Sequence, residues 1–252
     1  MIVRPHASPL GAAALLVTAG ALACMGSLHA AEVALESGPR KTRLLELFTS
    51  EGCSSCPPAE AWLSKLKNDP GLWRDFVPLA FHVDYWDRLG WRDPFASKAW
   101  TQRQYAYSTR WKSSSVYTPG FVLDGRDWRN NGVPPANADS AGTLKISLGH
   151  GDALRATFDP AVADKRELDL HVARLGFGLN IQVKAGENSG RKLLHDFVVL
   201  SVDRAKMTAG SAELRLSAKP PAAAASASTA VAAWLTAPGE MEPIQVVGGW
   251  LP

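Results

Sequence analysis

Cysteine is scarce: three in 252 residues, too few for the disulfide framework that holds small secreted domains together. The only close pair, Cys53 and Cys56, supplies half the ligands of a structural zinc site, and no second pair exists. Charge of one sign is also lacking. Lys and Arg total 27 against 24 Asp and Glu, for a net charge of +3, and no basic cluster with interleaved aromatics occurs. A phosphate-backbone partner is therefore excluded. There is no phosphate-cradling glycine loop and no serine nucleophile elbow. His150, His171 and His195 are scattered without metal-ligand spacing and read as surface or packing residues.

What is present is a chain with 46% hydrophobic residues, enough to fill one large core or two modest ones. It opens with Arg4, an apolar stretch from Leu10 to Met25 and small residues up to Ala31. That is the layout of an export signal spanning residues 1–30 and cleaved after Ala30, with a retained anchor as the alternative. Removal leaves Cys53 and Cys56 as the remaining cysteines, in a protein expected in the periplasm or outside the cell, with no stable membrane insertion.

The stretch Glu51-Gly52-Cys53-Ser54-Ser55-Cys56-Pro57-Pro58 lies between the apolar run Arg43–Thr49 and a helix-competent segment from Ala59 to Lys67. Both sulfurs are thereby predicted in a strand-to-helix turn. Free backbone N–H groups and the helix dipole stabilise a thiolate at such a place. Cys53, the outer sulfur, is expected to attack. Cys56, one helical turn on, is expected to resolve the mixed disulfide. A stapling role is the poorer alternative, because so short a loop removes little entropy from the unfolded chain. Glu46 interrupts an otherwise apolar strand, and two readings fit it: a proton carrier for Cys56 or a partner in an ion pair.

Asn68-Asp69-Pro70-Gly71 is a turn signal, and the run from Phe76 reads as a second, parallel strand ending at His82 and Asp84. Asp93-Pro94 predicts the start of a helix extending from Phe95 to Trp111. Thr118-Pro119 precedes a short strand, Phe121 to Leu123, that Asp124-Gly125 turns into an edge hairpin. A proline in that position is a candidate for a cis bond.

Taken together, the order strand, Cys-x-x-Cys, helix, strand, inserted helix, Thr-Pro and hairpin resembles the thioredoxin fold. More narrowly, Glu46 to Ala59, Phe81 to Asp87, Gly90 to Phe95 and Val116 to Pro119 resemble the secreted bacterial family catalogued as domain of unknown function 1223. The resemblance implies that Cys53, Cys56 and Pro119 take the nucleophile, resolving and cis-proline positions. It also implies that the Thr118 backbone meets the substrate chain, with Tyr117 and Trp86 of the same motifs as substrate-side neighbours.

Past a linker-like stretch from Asn130 to Ser140 the pattern changes to short alternating runs punctuated by Gly, Pro, Asp and Asn, beginning at Thr143 and ending at Trp250. The expected architecture is an α/β thioredoxin-like N-terminal domain over residues 41–135, followed by a mostly antiparallel, sandwich-like β domain over 141–252. The expected activity is thiol-disulfide exchange on protein or small-molecule disulfides, with no cofactor. The alternative is a copper-binding or metallochaperone role for Cys53, Cys56 and His82.

Overall fold

The structure is a computed structural model of the chain. It describes residues 1–3, 33–129, 132–163, 166–218 and 226–252. Residues 4–30 of the expected export signal, Cys24 among them, fall outside these residues, as do residues 219–225.

Val33–Glu36 forms β1 and Arg43–Thr49 forms β2. From Leu44 onward β2 is buried at every position, the pattern of a strand covered on both faces. Helix α1, Pro57–Lys65, opens with two prolines in its first turn, where the missing N–H has no intrahelical acceptor. A 3-10 turn, Leu66–Asn68, extends it until Asp69, which precedes Pro70, takes extended geometry. Strand β3, Phe76–His82, runs parallel to β2 in the register Arg43 to Phe76 through Thr49 to His82. Helix α2 spans Lys98–Arg110 and starts later than the Asp93-Pro94 signal predicts. Asp93 spends its carboxylate on the Phe95 and Glu51 N–H groups, and Ser97 caps the helix instead by accepting from Ala99. Strands β4, Gly120–Leu123, and β5, Arg126–Asp127, form the expected edge hairpin. Its turn residues Asp124 and Gly125 have φ of 49° and 82°, the left-handed pair a tight hairpin needs.

Nine strands follow: β6 Gly142–Leu148, β7 Ala153–Pro160, β8 Leu168–Phe177, β9 Leu179–Gln182, β10 Lys192–His195, β11 Val198–Met207, β12 Ser211–Arg215, β13 Ser228–Thr236 and β14 Pro243–Trp250. Most coincide with the alternating runs of the sequence, but one expected run, Leu193 to Val202, is divided between β10 and β11. Their assembly does not match the expected separate domains. Strand β11 lies parallel to β3, with Val198 opposite Ala80 and the Ala80 N–H donating to the Phe197 carbonyl at 2.8 Å. One sheet of order β14-β13-β8-β11-β3-β2-β4-β5 therefore runs through both halves of the chain. The expectation of an α/β thioredoxin-like N-terminal domain beside a self-contained β sandwich is overturned by this shared sheet. Among the described residues the protein is mostly β, with two α-helices as additions to the sheets.

A second sheet, β1-β6-β7-β12, packs against the large one, and β9-β10 forms a separate ribbon. Strands β8 and β13 divide their side chains between two cores. Leu175, Ala232 and Trp234 join Leu45, Phe48 and Phe81 in the core under the helices. Leu170, Val231 and Leu235 join Leu144, Ile146 and Leu154 between the sheets. Period-two alternation with both faces apolar is what allows one strand to serve two cores. Each fully buried Leu or Val contributes roughly 1.5–3 kcal/mol relative to exposure. Among the described residues, no helix is long and apolar enough to cross a membrane.

Candidate active site around Cys53 and Cys56

The chain leaves β2 at Thr49 and turns through Ser50 to Cys56 into α1. Gly52 is required at the bend, because a Cβ there would lie 2.9 Å from the Trp86 Cβ. Cys53 and Cys56 are joined as a disulfide. Cys56 occupies the N-cap of α1, and its carbonyl accepts from the Ala59 and Glu60 N–H groups. The turn is clasped from the second half of the chain. The Asn188 side-chain amide donates to the Glu51 and Cys53 carbonyls at 2.8 and 2.9 Å, and the Ser54 N–H donates to the Glu187 carboxylate at 3.0 Å.

The Thr118-Pro119 peptide is cis, and it lies against the cysteine turn. The Thr118 carbonyl lies 3.7 Å from the Cys53 sulfur. The Ser55 hydroxyl stands 3.3 Å from the same sulfur and 3.4 Å from the same carbonyl. Trp86 donates its indole N–H to the Thr118 hydroxyl at 2.8 Å. The Gln104 amide donates to the Tyr117 carbonyl at 2.7 Å, while the Tyr117 hydroxyl reaches out to Asp127 at 2.6 Å. Cys53, Cys56, Thr118, Pro119, Tyr117 and Trp86 are thus brought to one place. Both cysteines are nevertheless 0% exposed. The oxidised pair lies under Ser55 and the Thr118 carbonyl. Beside this cover runs an open groove of about 670 Å³ walled by Ser55, Pro58, Trp62, Tyr117, Pro119 and Trp128.

Glu46 is elsewhere. Its carboxylate takes two hydrogen bonds from the Arg103 guanidinium, at 2.9 and 2.5 Å, and one from the Tyr107 hydroxyl at 2.9 Å. Of the two readings the sequence allowed, the ion pair is the one the geometry displays. The guanidinium also sits over the rings of Phe81, Tyr107 and Trp234 at 5.3–5.6 Å. Burial works against the Arg103 charge, but Glu46 beside it holds the proton more firmly than in water. Burial raises the Tyr107 hydroxyl well above its ordinary range.

Behind the cysteine turn lies a buried polar cluster. His82 shares a hydrogen bond with Asp93 through Nδ1 at 2.7 Å. His195 contacts Glu60 through Nδ1 at 2.5 Å and Glu51 through Nε2 at 3.0 Å. Thr49 donates to the other Glu60 oxygen, and the Trp91 indole donates to Glu51 at 2.6 Å. Burial alone would push His195 toward the neutral form, yet Glu60 and Glu51 raise its pKa to about 10. Burial likewise opposes the Glu60 charge, but His195 keeps that carboxyl below its usual range. His82 is raised by Asp93 against the same burial penalty, and Asp93 is lowered by His82.

This cluster is only half visible in the sequence. His195 reads there as packing, and it lies 135 positions from Glu60 and 144 from Glu51, so no local spacing reveals it. Among the described residues, Glu60, His82 and His195 are the one His/Cys/Asp/Glu group whose ligand atoms converge, all within 4.8 Å of one another. The set Cys53, Cys56 and His82 is not such a group. Asp84 also turns away, accepting from the Thr101 hydroxyl at 2.6 Å.

A family model described as "Protein of unknown function (DUF1223)" matches residues 44–236. Protein AGR_C_4864 from Agrobacterium tumefaciens, solved by X-ray crystallography, is 27% identical, with a TM-score of 0.58 over 85% of this chain and 95% of that one. HBP35 of Porphyromonas gingivalis is 19% identical, with a TM-score of 0.56 over 85% of this chain and 76% of that one. At that identity the second likeness shows the fold alone. No curated protein matches the chain.

Proposed function

This chain belongs to the DUF1223 family, whose description assigns no reaction, so we propose a function from its own atoms: a thiol-disulfide oxidoreductase using Cys53 and Cys56. The observation that carries the reading is the placement of this pair at the start of α1, against the carbonyl that precedes the cis proline. A staple has no need of a groove beside it. The resemblance to thioredoxin-like proteins supports the site, without a separate α/β domain around it.

In the reduced protein, the Cys53 thiolate attacks one sulfur of a substrate disulfide and the other substrate sulfur leaves as a thiolate. Cys56, deprotonated, then attacks Cys53. The Cys53–substrate bond breaks, a second substrate thiol is released, and the pair is oxidised by the two electrons the substrate has gained. Run backward, the same steps oxidise a dithiol. The N-terminal N–H groups of α1 favour the thiolate in either direction, and the Thr118 carbonyl stands where an incoming chain would be aligned. Attack on the oxidised form requires Ser55 or the Thr118 loop to shift, since the sulfurs are covered at rest. The opening segment, with its Arg4 and apolar run, is proposed to direct export to an oxidising compartment.

Trapping tests the reading. Cys56→Ala incubated with protein and small-molecule disulfides should accumulate mixed disulfides through Cys53, and Cys53→Ala should accumulate far fewer. Absence of any trapped species, together with no disulfide-reducing activity in the unaltered protein, would refute it.

A further inference from the structure

We propose that Glu60, His82 and His195 form a buried binding site for a zinc-like divalent transition-metal ion, behind the cysteine turn and independent of its sulfurs. Three observations converge on it. First, the ligand atoms of these side chains all lie within 4.8 Å of one another, and the residues are 6%, 1% and 1% exposed. Second, the Nε2 of His82 is buried with no hydrogen-bond partner. A buried imidazole nitrogen left in this state is unfavourable, and a metal ion would give it a partner.

Third, each imidazole is held from behind by a carboxylate. Asp93 takes the Nδ1 of His82 at 2.7 Å, leaving Nε2 free, and Glu51 takes the Nε2 of His195 at 3.0 Å, leaving Nδ1 toward Glu60. That is the arrangement by which metal-bound histidines are oriented and made better donors. The two rings cross at 82° with centroids 5.1 Å apart, and Phe95 packs edge-on against both.

Two imidazole nitrogens and a carboxylate suit zinc and its neighbours better than calcium or magnesium, which prefer oxygen alone. In a tetrahedral site with bonds of about 2.0–2.1 Å, ligand atoms lie about 3.4 Å apart. The cluster at rest brackets that value. The His195–Glu60 contact is shorter, at 2.5 Å, because a proton occupies it, and the widest separation is longer. Metal entry expels that proton, and the one that a charged His82 carries on Nε2, to solvent, opens the short contact and draws His82 inward. The ion takes the proton's place between the same two groups.

The test is a titration of the full chain, stripped with a chelator, using Co²⁺ for its visible spectrum and Zn²⁺ in competition by calorimetry. The expected result is one equivalent bound, with a rise in Tm. Binding should weaken at least tenfold in His82→Gln and His195→Gln, and by about ten- to a hundredfold in Asp93→Asn. It should persist in the Cys53→Ser, Cys56→Ser double variant, where a sulfur-based site would vanish. Failure of the unaltered protein to bind either ion would overturn the proposal, whatever the variants do. So would binding that survives in folded His82→Gln or disappears with the cysteines. The trapping experiment reads the sulfurs alone, so the two proposals fail separately.

Discussion

Trp86 and Thr118 are tied by a single hydrogen bond, indole N–H to hydroxyl at 2.8 Å, and this bond fixes the cover over the Cys53 sulfur. The Thr118 carbonyl is held 3.7 Å from that sulfur on one side and the Tyr117 carbonyl is anchored by Gln104 on the other. The proline loop is therefore positioned by Trp86 and Gln104 from the long insert between β3 and β4, together with the Ser55 hydroxyl of the cysteine turn, which donates to the Thr118 carbonyl at 3.4 Å.

Trp86→Phe keeps most of the ring and removes the donor. The expected cost is about 0.5–1.5 kcal/mol, that of one hydrogen bond, read as a shift of the urea midpoint. The loosened Thr118 loop should let a small thiol reduce the disulfide several-fold faster. An unchanged or slower rate would show that this loop does not limit access.

Glu46 and Arg103 make a stronger prediction about stability. Arg103→Met leaves a carboxylate buried with only the Tyr107 hydroxyl for company, and should cost about 3–5 kcal/mol. Adding Glu46→Leu should recover a large part of the loss, since the pair then disappears together. Denaturant unfolding of both variants checks it. A single-variant cost below about 1 kcal/mol would mean that the ion pair is better solvated than its burial implies.

His171 predicts an acid-sensitive window. It stacks on Trp234 with ring planes 7° apart. Burial, followed by the charges of Arg103 and Arg204, lowers its pKa from 6.5 to about 3. Between those values the unfolded chain binds a proton that the folded chain refuses. Stability therefore falls as pH drops from about 6.5 toward 3, by up to about 1.4 kcal/mol per pH unit from this residue, and above that window the residue adds no slope. His171→Asn should flatten the pH dependence of ΔG in that interval relative to the unaltered protein. Parallel curves would contradict the assignment.

The parts of the molecule legible in the sequence are those whose physics is local. β2 and β3 show themselves as continuous apolar runs, the later strands through alternation, α1 through its prolines, and the β4–β5 turn through Asp124-Gly125. The cysteine turn and Pro119 declare their chemistry by residue type, and the structure sets them side by side. What was not legible depends on pairing across long separations. Nothing around Val198 indicates that β11 will lie beside Ala80 and merge the expected domains into one sheet. Nothing around His195 or Asn188 indicates that one will meet Glu60 and the other will clasp the Cys53 carbonyl. Glu46 was visible as an anomaly, but its partner Arg103 sits 57 positions on, on a helix read from its Asp93-Pro94 start signal.

The most direct test of the central claim is the reduction potential of the Cys53–Cys56 pair in the folded protein. It is measured by equilibration in graded thiol-disulfide buffers, alkylation and peptide mapping of both cysteines. The account predicts a single two-electron transition, reached without unfolding, at a potential above about −300 mV, the range of exchangeable rather than purely structural disulfides. A pair that stays oxidised below that value, or opens only when the chain unfolds, would contradict it.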